Sequence, residues 1–140
     1  MSGQWISASI RAAVRTRAKG CCEYCRIPEL GTLFGHEPDH IIAKQHGGKT
    51  IMENLALACM QCNRCKGPNI ASVDRETNLI VPLFNPRTNR WSDHFRSDGG
   101  RIKPLTDVGR ATAALLEFDH KEREEIRHNL WLAGRLGSPD

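Results

Sequence analysis

The sequence predicts an α+β fold in which short strands and short helices surround a metal-stapled centre. Three observations predict it. Cysteines fall in CxxC pairs, helical periodicity marks both ends of the chain, and strand-and-turn patterns lie between. At 140 residues the expectation is one domain over 1–140, with a core finger at about 20–70 and an extension at about 75–140. A finger of about thirty to fifty residues is too small to fold well alone, so the extension must help build its core.

From the N-terminus, residues 7–19 predict a helix. Ile10, Val14 and Ala18 recur every four residues, Arg11, Arg15 and Lys19 form a basic stripe, and Gly20 ends the run. Cys21 to Cys25 reads as a tight metal-binding turn, and Phe34 to Ile42 as a strand. Lys44 to Lys49, with Gly47-Gly48, reads as a turn, and Asn54 to Ala58 as a short apolar segment. A helix over 61–66 stops at Gly67-Pro68. In the extension, Leu79 to Phe84 predicts a strand that Pro82 places at an edge. Residues 95–103 enclose Asp98-Gly99, a hairpin signal. Two helices should close the chain, the first capped by Thr106 and the second by a capping box of Asp119 and Glu122. Ile126, Leu130 and Trp131 are expected to face the core from that last helix, and Trp5 and Trp91 are also read as core residues.

The net charge is +4, and its distribution is uneven. Residues 1–70 carry 9 Lys and Arg against 5 Asp and Glu, whereas residues 71–140 carry 11 of each. The positive excess sits in the half that holds the cysteines, which fits a polyanionic partner there. Met1 to Ile10 shows no basic segment leading into an apolar run, and no stretch approaches the roughly 18 apolar residues of a membrane helix. A cytoplasmic protein without a membrane role is expected. Its six cysteines should then be reduced, which favours metal binding over disulfides.

Cys22-x2-Cys25 and Cys59-x2-Cys62 form two such pairs. Thiolates at this spacing chelate one ion, and two pairs complete the tetrahedron of a closed, structural Zn²⁺ site. Cys21 competes with Cys22, and Cys62-x2-Cys65 is itself a CxxC. Only Cys22 has the x2 spacing to Cys25.

Between the pairs, residues 35–67 read GHEPDHIIAKQHGGKTIMENLALACMQCNRCKG. Asp39-His40-Ile41, Gly47-Gly48, Asn54-Leu55, Cys62-Asn63 and Lys66-Gly67 occur in the order and spacing of one pattern. The segment resembles the HNH endonuclease family, whose stand-alone bacterial and phage-type members are also similar, more loosely, through VPLFNPR, WSDHF and LTDVGRAT. The resemblance implies a ββα-metal (His-Me) finger, flanked here by an N-terminal helix, a β-hairpin and C-terminal helices. It also favours Cys59 over Cys65 as the start of the second pair. One departure is Ala43, where members often carry Pro.

What the resemblance implies is a metal-dependent DNA endonuclease or nickase that hydrolyses phosphodiester bonds, as a monomer or weak dimer. His40 would be the general base, since a neutral imidazole takes a proton near pH 7. Asp39 and Asn63 would offer hard oxygen ligands to one catalytic Mg²⁺ or Mn²⁺. Asn54, the middle asparagine of the family name, would orient His40 or tie its loop. Lys66, Arg64, Lys44 and His46 are candidate substrate contacts, Glu37 a candidate outer-shell group, and His36 a possible neighbour of the metal. His94, His120 and His128 lie outside the pattern and are read as structural or exposed. The competing reading is a non-catalytic zinc-dependent nucleic-acid-binding module. It would use the same cysteines, basic helix and Lys66, but gives no reason for Asp39, His40, Asn54 and Asn63 to occur together.

Overall fold

The computed structural model describes residues 5–137, so the first four residues of the opening stretch read for a leader lie outside it. The fold is α+β, with three two-stranded antiparallel sheets and five α-helices among the described residues.

Helix α1, Ala8–Arg17, starts where the Ser7 hydroxyl accepts the Ile10 N–H at 3.2 Å. Val14 and Ala18 bury against Leu55 and Leu57 with Ile10 beside them, as the four-residue periodicity predicts. Two members of the basic stripe are engaged within the molecule, Arg11 with Glu37 at 2.6 Å and Arg15 with Glu29 at 2.7 Å. Strands β1, Glu37–His40, and β2, Leu55–Ala58, pair with Asp39 opposite Ala56 and His40 opposite Leu55. Helix α2, Met60–Lys66, follows directly and ends at Gly67. This is the ββα finger. β1 is shorter than the expected span of Phe34 to Ile42: it starts at Glu37, and past His40 the Ile42 amide bonds the Asn54 side chain instead of a backbone partner.

In the extension, β3, Ala71–Asp74, pairs with β4, Leu79–Pro82. Pro82 lies at the open end of this pair, as its missing N–H requires. β3 was not anticipated, and neither was the single-turn helix α3, Trp91–His94. Strands β5, Phe95–Asp98, and β6, Arg101–Pro104, form the expected hairpin, with the turn at Gly99-Gly100. Helix α4, Asp107–Leu115, is capped by Thr106, whose hydroxyl accepts the Gly109 N–H.

Helix α5, Lys121–Leu132, corrects two expectations. Its N-cap is His120 without a side-chain cap, so Asp119 and Glu122 form no capping box. Ile126 and Trp131 are 40% and 50% exposed; the inward face is Arg123, Arg127 and the partly buried Leu130. Positions 123, 127 and 130 share one helix face, and what they meet is sulfur and carbonyl oxygen as well as hydrocarbon. Trp5 is exposed too, leaving Trp91 as the tryptophan in the core.

The main core joins both halves of the chain. Cys22, Tyr24, Ile27, Ile41 and Ala56 of the finger pack in one cluster with Phe84, Trp91, Phe95, Leu116 and Phe118 of the extension. The Trp91 indole donates to the Tyr24 carbonyl at 2.8 Å. The finger's third wall is therefore supplied by residues beyond it in sequence.

Candidate active site and metal centre

Cys22, Cys25, Cys59 and Cys62 converge, all four buried, with their sulfurs within 4.8 Å of one another. The two knuckles are built alike. The Cys25 amide points at Cys22 Sγ, 3.5 Å, and the Cys62 amide at Cys59 Sγ, 3.4 Å. Across the pairs, Cys25 Sγ and Cys59 Sγ lie 3.7 Å apart. A tetrahedral ion with Zn–S bonds of about 2.3 Å holds its sulfurs roughly 3.8 Å apart. The donor chemistry and the spacing thus both suit zinc. Cys21 and Cys65 stay outside the cluster, near the Lys19 carbonyl and the Glu117 carboxylate respectively.

One turn of sequence away, a cleft of about 560 Å³ opens between α1, β1 and the start of the loop after β1. Asp39, His40, Lys44 and Asn63 line it together with Arg11 and Glu37. Asp39 is 7% exposed, and its Oδ2 receives both the Tyr24 hydroxyl and the Lys66 ammonium at 3.1 Å. Burial pushes the Asp39 carboxyl above the ordinary carboxylate range, and Lys66 and Tyr24 pull it back. Burial also lowers His40 below the ordinary imidazole value, against the pull of the Asp39 charge, which favours the neutral ring. Its Nε2 lies 2.8 Å from the Thr50 hydroxyl.

The loop between the strands is held by Asn54. Its amide oxygen accepts the Ile42 N–H at 2.9 Å, and its Nδ2 donates to the Ile42 and Lys49 carbonyls at 3.0 and 2.9 Å. This clamp explains the glycine pair. Gly47 takes a left-handed φ of 89°, and a Cβ on Gly48 would stand 1.7 Å from the Ile42 carbonyl oxygen.

Residues 22–69 match the family model described as HNH endonuclease. Over these residues the finger is similar to an HNH domain. The match spans the zinc knuckles, both strands and α2, and points to nucleic acid as the class of substrate. No curated protein and no solved structure matches the chain. Among the described residues no helix is long and apolar enough to cross a membrane.

Within the matched finger, the fold gathers Asp39, His40 and Asn63 in one cleft, with Lys44 on its rim. Arg64 and His46 are exposed and are not among the residues lining it. Lys66 departs from its expected role as a phosphate contact. It is 2% exposed, ion-paired with Asp39, and donates to the His40 and Ile41 carbonyls, so it faces the protein interior. Asn54 bonds backbone of the loop, the second of its two expected roles; the partner on the His40 ring is Thr50. Glu37 engages Arg11 at the cleft mouth, and His36 is buried on the Ile27 carbonyl. Sequence reasoning missed Tyr24 and Thr50. Both lie near marked motifs, Tyr24 inside the first CxxC and Thr50 after the glycine pair, but neither carries a metal-ligand signature.

Proposed function

We propose that this protein is a metal-dependent DNA endonuclease or nickase that works from the Asp39–His40–Asn63 cleft. The observation that carries the reading is that cleft: a His40 ring hydrogen-bonded to Thr50, in one cleft with two oxygen donors, Asp39 and Asn63. His40 takes the proton of the attacking water, with Thr50 holding the ring in place. Asp39 and Asn63 would hold the divalent cation, Mg²⁺ or Mn²⁺, and hard oxygen ligands suit either. A cation there supplies charge stabilisation at the phosphate and the departing 3′ oxygen. Lys44, lining the cleft, neutralises the incoming backbone; Arg64 and His46 would serve DNA lying beyond it.

In this reading the four cysteines hold a structural Zn²⁺ that fixes the start of α2, where Cys62 faces the zinc and the next residue, Asn63, faces the cleft. Residues 1–140 act as one domain, supported by the core shared between finger and extension. The protein works in the cytoplasm, where thiols stay reduced, as a monomer or weak dimer. A non-catalytic binding module would leave the fixed His40 ring without a purpose.

The test is supercoiled plasmid incubated with zinc-loaded wild type and with His40→Ala. The expected result is nicking by wild type with Mg²⁺ or Mn²⁺ and a loss of about 10²–10⁴-fold in His40→Ala. Cutting by His40→Ala at the wild-type rate would remove His40 from the role of base.

A further inference from the structure

The last helix places a buried cation on the metal centre. Arg123 is 9% exposed, and its Nη2 lies 3.0 Å from Cys62 Sγ and 3.8 Å from Cys59 Sγ. Its other terminal nitrogen donates to the Leu116 and Glu117 carbonyls at the end of α4, while the guanidinium carbon sits 5.9 Å from the centre of the Phe118 ring. One turn on, Arg127 is 1% exposed and donates to the Gly100 and Phe118 carbonyls. Gly100 is fitted to this contact: its φ is 92°, and a Cβ there would come within 2.4 Å of the α5 backbone. The HNH match ends at residue 69, so Gly100, Arg123 and Arg127 lie outside it.

Charge decides what Arg123 does. Four thiolates around Zn²⁺ leave a net charge of about −2. That charge is buried, and a buried charge is costly unless it is paired and hydrogen-bonded. Arg123 can supply both, because a guanidinium is always protonated and carries five donors. Its Nη2 is placed to do so, 3.0 Å from Cys62 Sγ and 3.8 Å from Cys59 Sγ.

We infer that Arg123 is a positioning residue of the metal centre: it neutralises the Cys59 and Cys62 thiolates, so that zinc binding and the docking of α5 stabilise each other. The inference rests on the four-cysteine zinc reading. Linkage makes the coupling reciprocal: whatever zinc adds to the docking of α5, α5 adds to the retention of zinc. The centre is then assembled from both halves of the chain, sulfur from the finger and countercharge from the extension.

The experiment uses the full-length zinc-loaded protein. Zinc release into excess colorimetric chelator is timed for wild type, Arg123→Lys and Arg123→Met, and hydrogen exchange across 121–132 is measured on wild type with and without zinc under reducing conditions. Arg123→Met, which keeps the aliphatic bulk and removes the charge, should release zinc about 10–100-fold faster. Arg123→Lys, a cation without the planar fork, should fall between. Residues 121–132 should lose protection when zinc is stripped from wild type. Release from both variants at the wild-type rate overturns the inference. So does unchanged protection of 121–132 in zinc-free wild type, a result that does not depend on any variant folding. A wild-type chain that binds no zinc overturns the four-cysteine reading, and this inference with it.

Discussion

A buried ammonium on a buried carboxylate fixes the floor of the cleft. Lys66 and Asp39 are 2% and 7% exposed and sit 3.1 Å apart, with the Tyr24 hydroxyl on the same carboxylate oxygen. Removing one partner of such a pair strands the other charge, so Lys66→Met should cost about 3–5 kcal/mol in denaturant unfolding. A cost under about 1 kcal/mol would mean that the pair does not form. Thr50 acts on His40 by one hydrogen bond, of about 1 kcal/mol. Thr50→Val should therefore slow DNA cleavage by up to roughly tenfold with the thermal midpoint little changed, as steady-state cleavage and a melting curve would show. The residue types of the site were legible, because Asp39, His40 and Asn63 sit at recognisable spacings. The role of Lys66 was not: a lysine near a helix end is normally solvated, and its burial depends on a carboxylate far away in sequence. Tyr24 and Thr50 touch the site residues only through the fold, which is why spacing did not reveal them.

Local stops and caps explain most of the elements. Ser7, Thr106, Gly67 and the glycine turn of the β5–β6 hairpin all act where their chemistry predicts. At the Gly47-Gly48 turn the fit is tighter than a turn needs, since Gly48 lies against the Ile42 carbonyl that Asn54 also binds. Gly48→Ala should displace this loop and destabilise the protein by about 1–3 kcal/mol. In the β3–β4 hairpin, Asp74 is fully buried and bonded through both oxygens to Arg110, with Thr77 and the Glu76 amide beside it. Arg110 holds the Asp74 carboxyl well below the usual carboxylate range. A depressed value contributes stability that is fully present above the unfolded value of about 3.9 and is lost as pH falls from there through the lower folded value. Asp74→Asn should thus lower the melting temperature at pH 7, and its difference from wild type should shrink below about pH 4. A difference independent of pH would contradict the charge pairing. The α5 face was illegible for a physical reason. Arginines at 123 and 127 look like solvated charge in a sequence, and only the cysteine sulfurs and carbonyls around them make an inward face of them.

At the scale of the molecule, the finger is a wall of a larger core. Its strands are covered on one side by α1 and its cysteine knuckles by aromatic residues of the extension. Helical periodicity at both ends and strand-and-turn patterns between made the α+β class readable, whereas β3 and the seating of the extension against the cysteine cluster rest on long-range contacts that leave no local signal. If a closed zinc site organises this arrangement, a strong chelator under reducing conditions should lower the melting temperature sharply, and re-added zinc should restore it. A melting curve indifferent to zinc would contradict that organisation. The account as a whole depends on chemistry at the Asp39–His40–Asn63 cleft. The most direct measurement is cleavage of an end-labelled DNA duplex by the zinc-loaded wild-type protein, with EDTA, Mg²⁺ or Mn²⁺. The account predicts shortened strands with Mg²⁺ or Mn²⁺ and none with EDTA. DNA that stays intact with every divalent metal tried would contradict it.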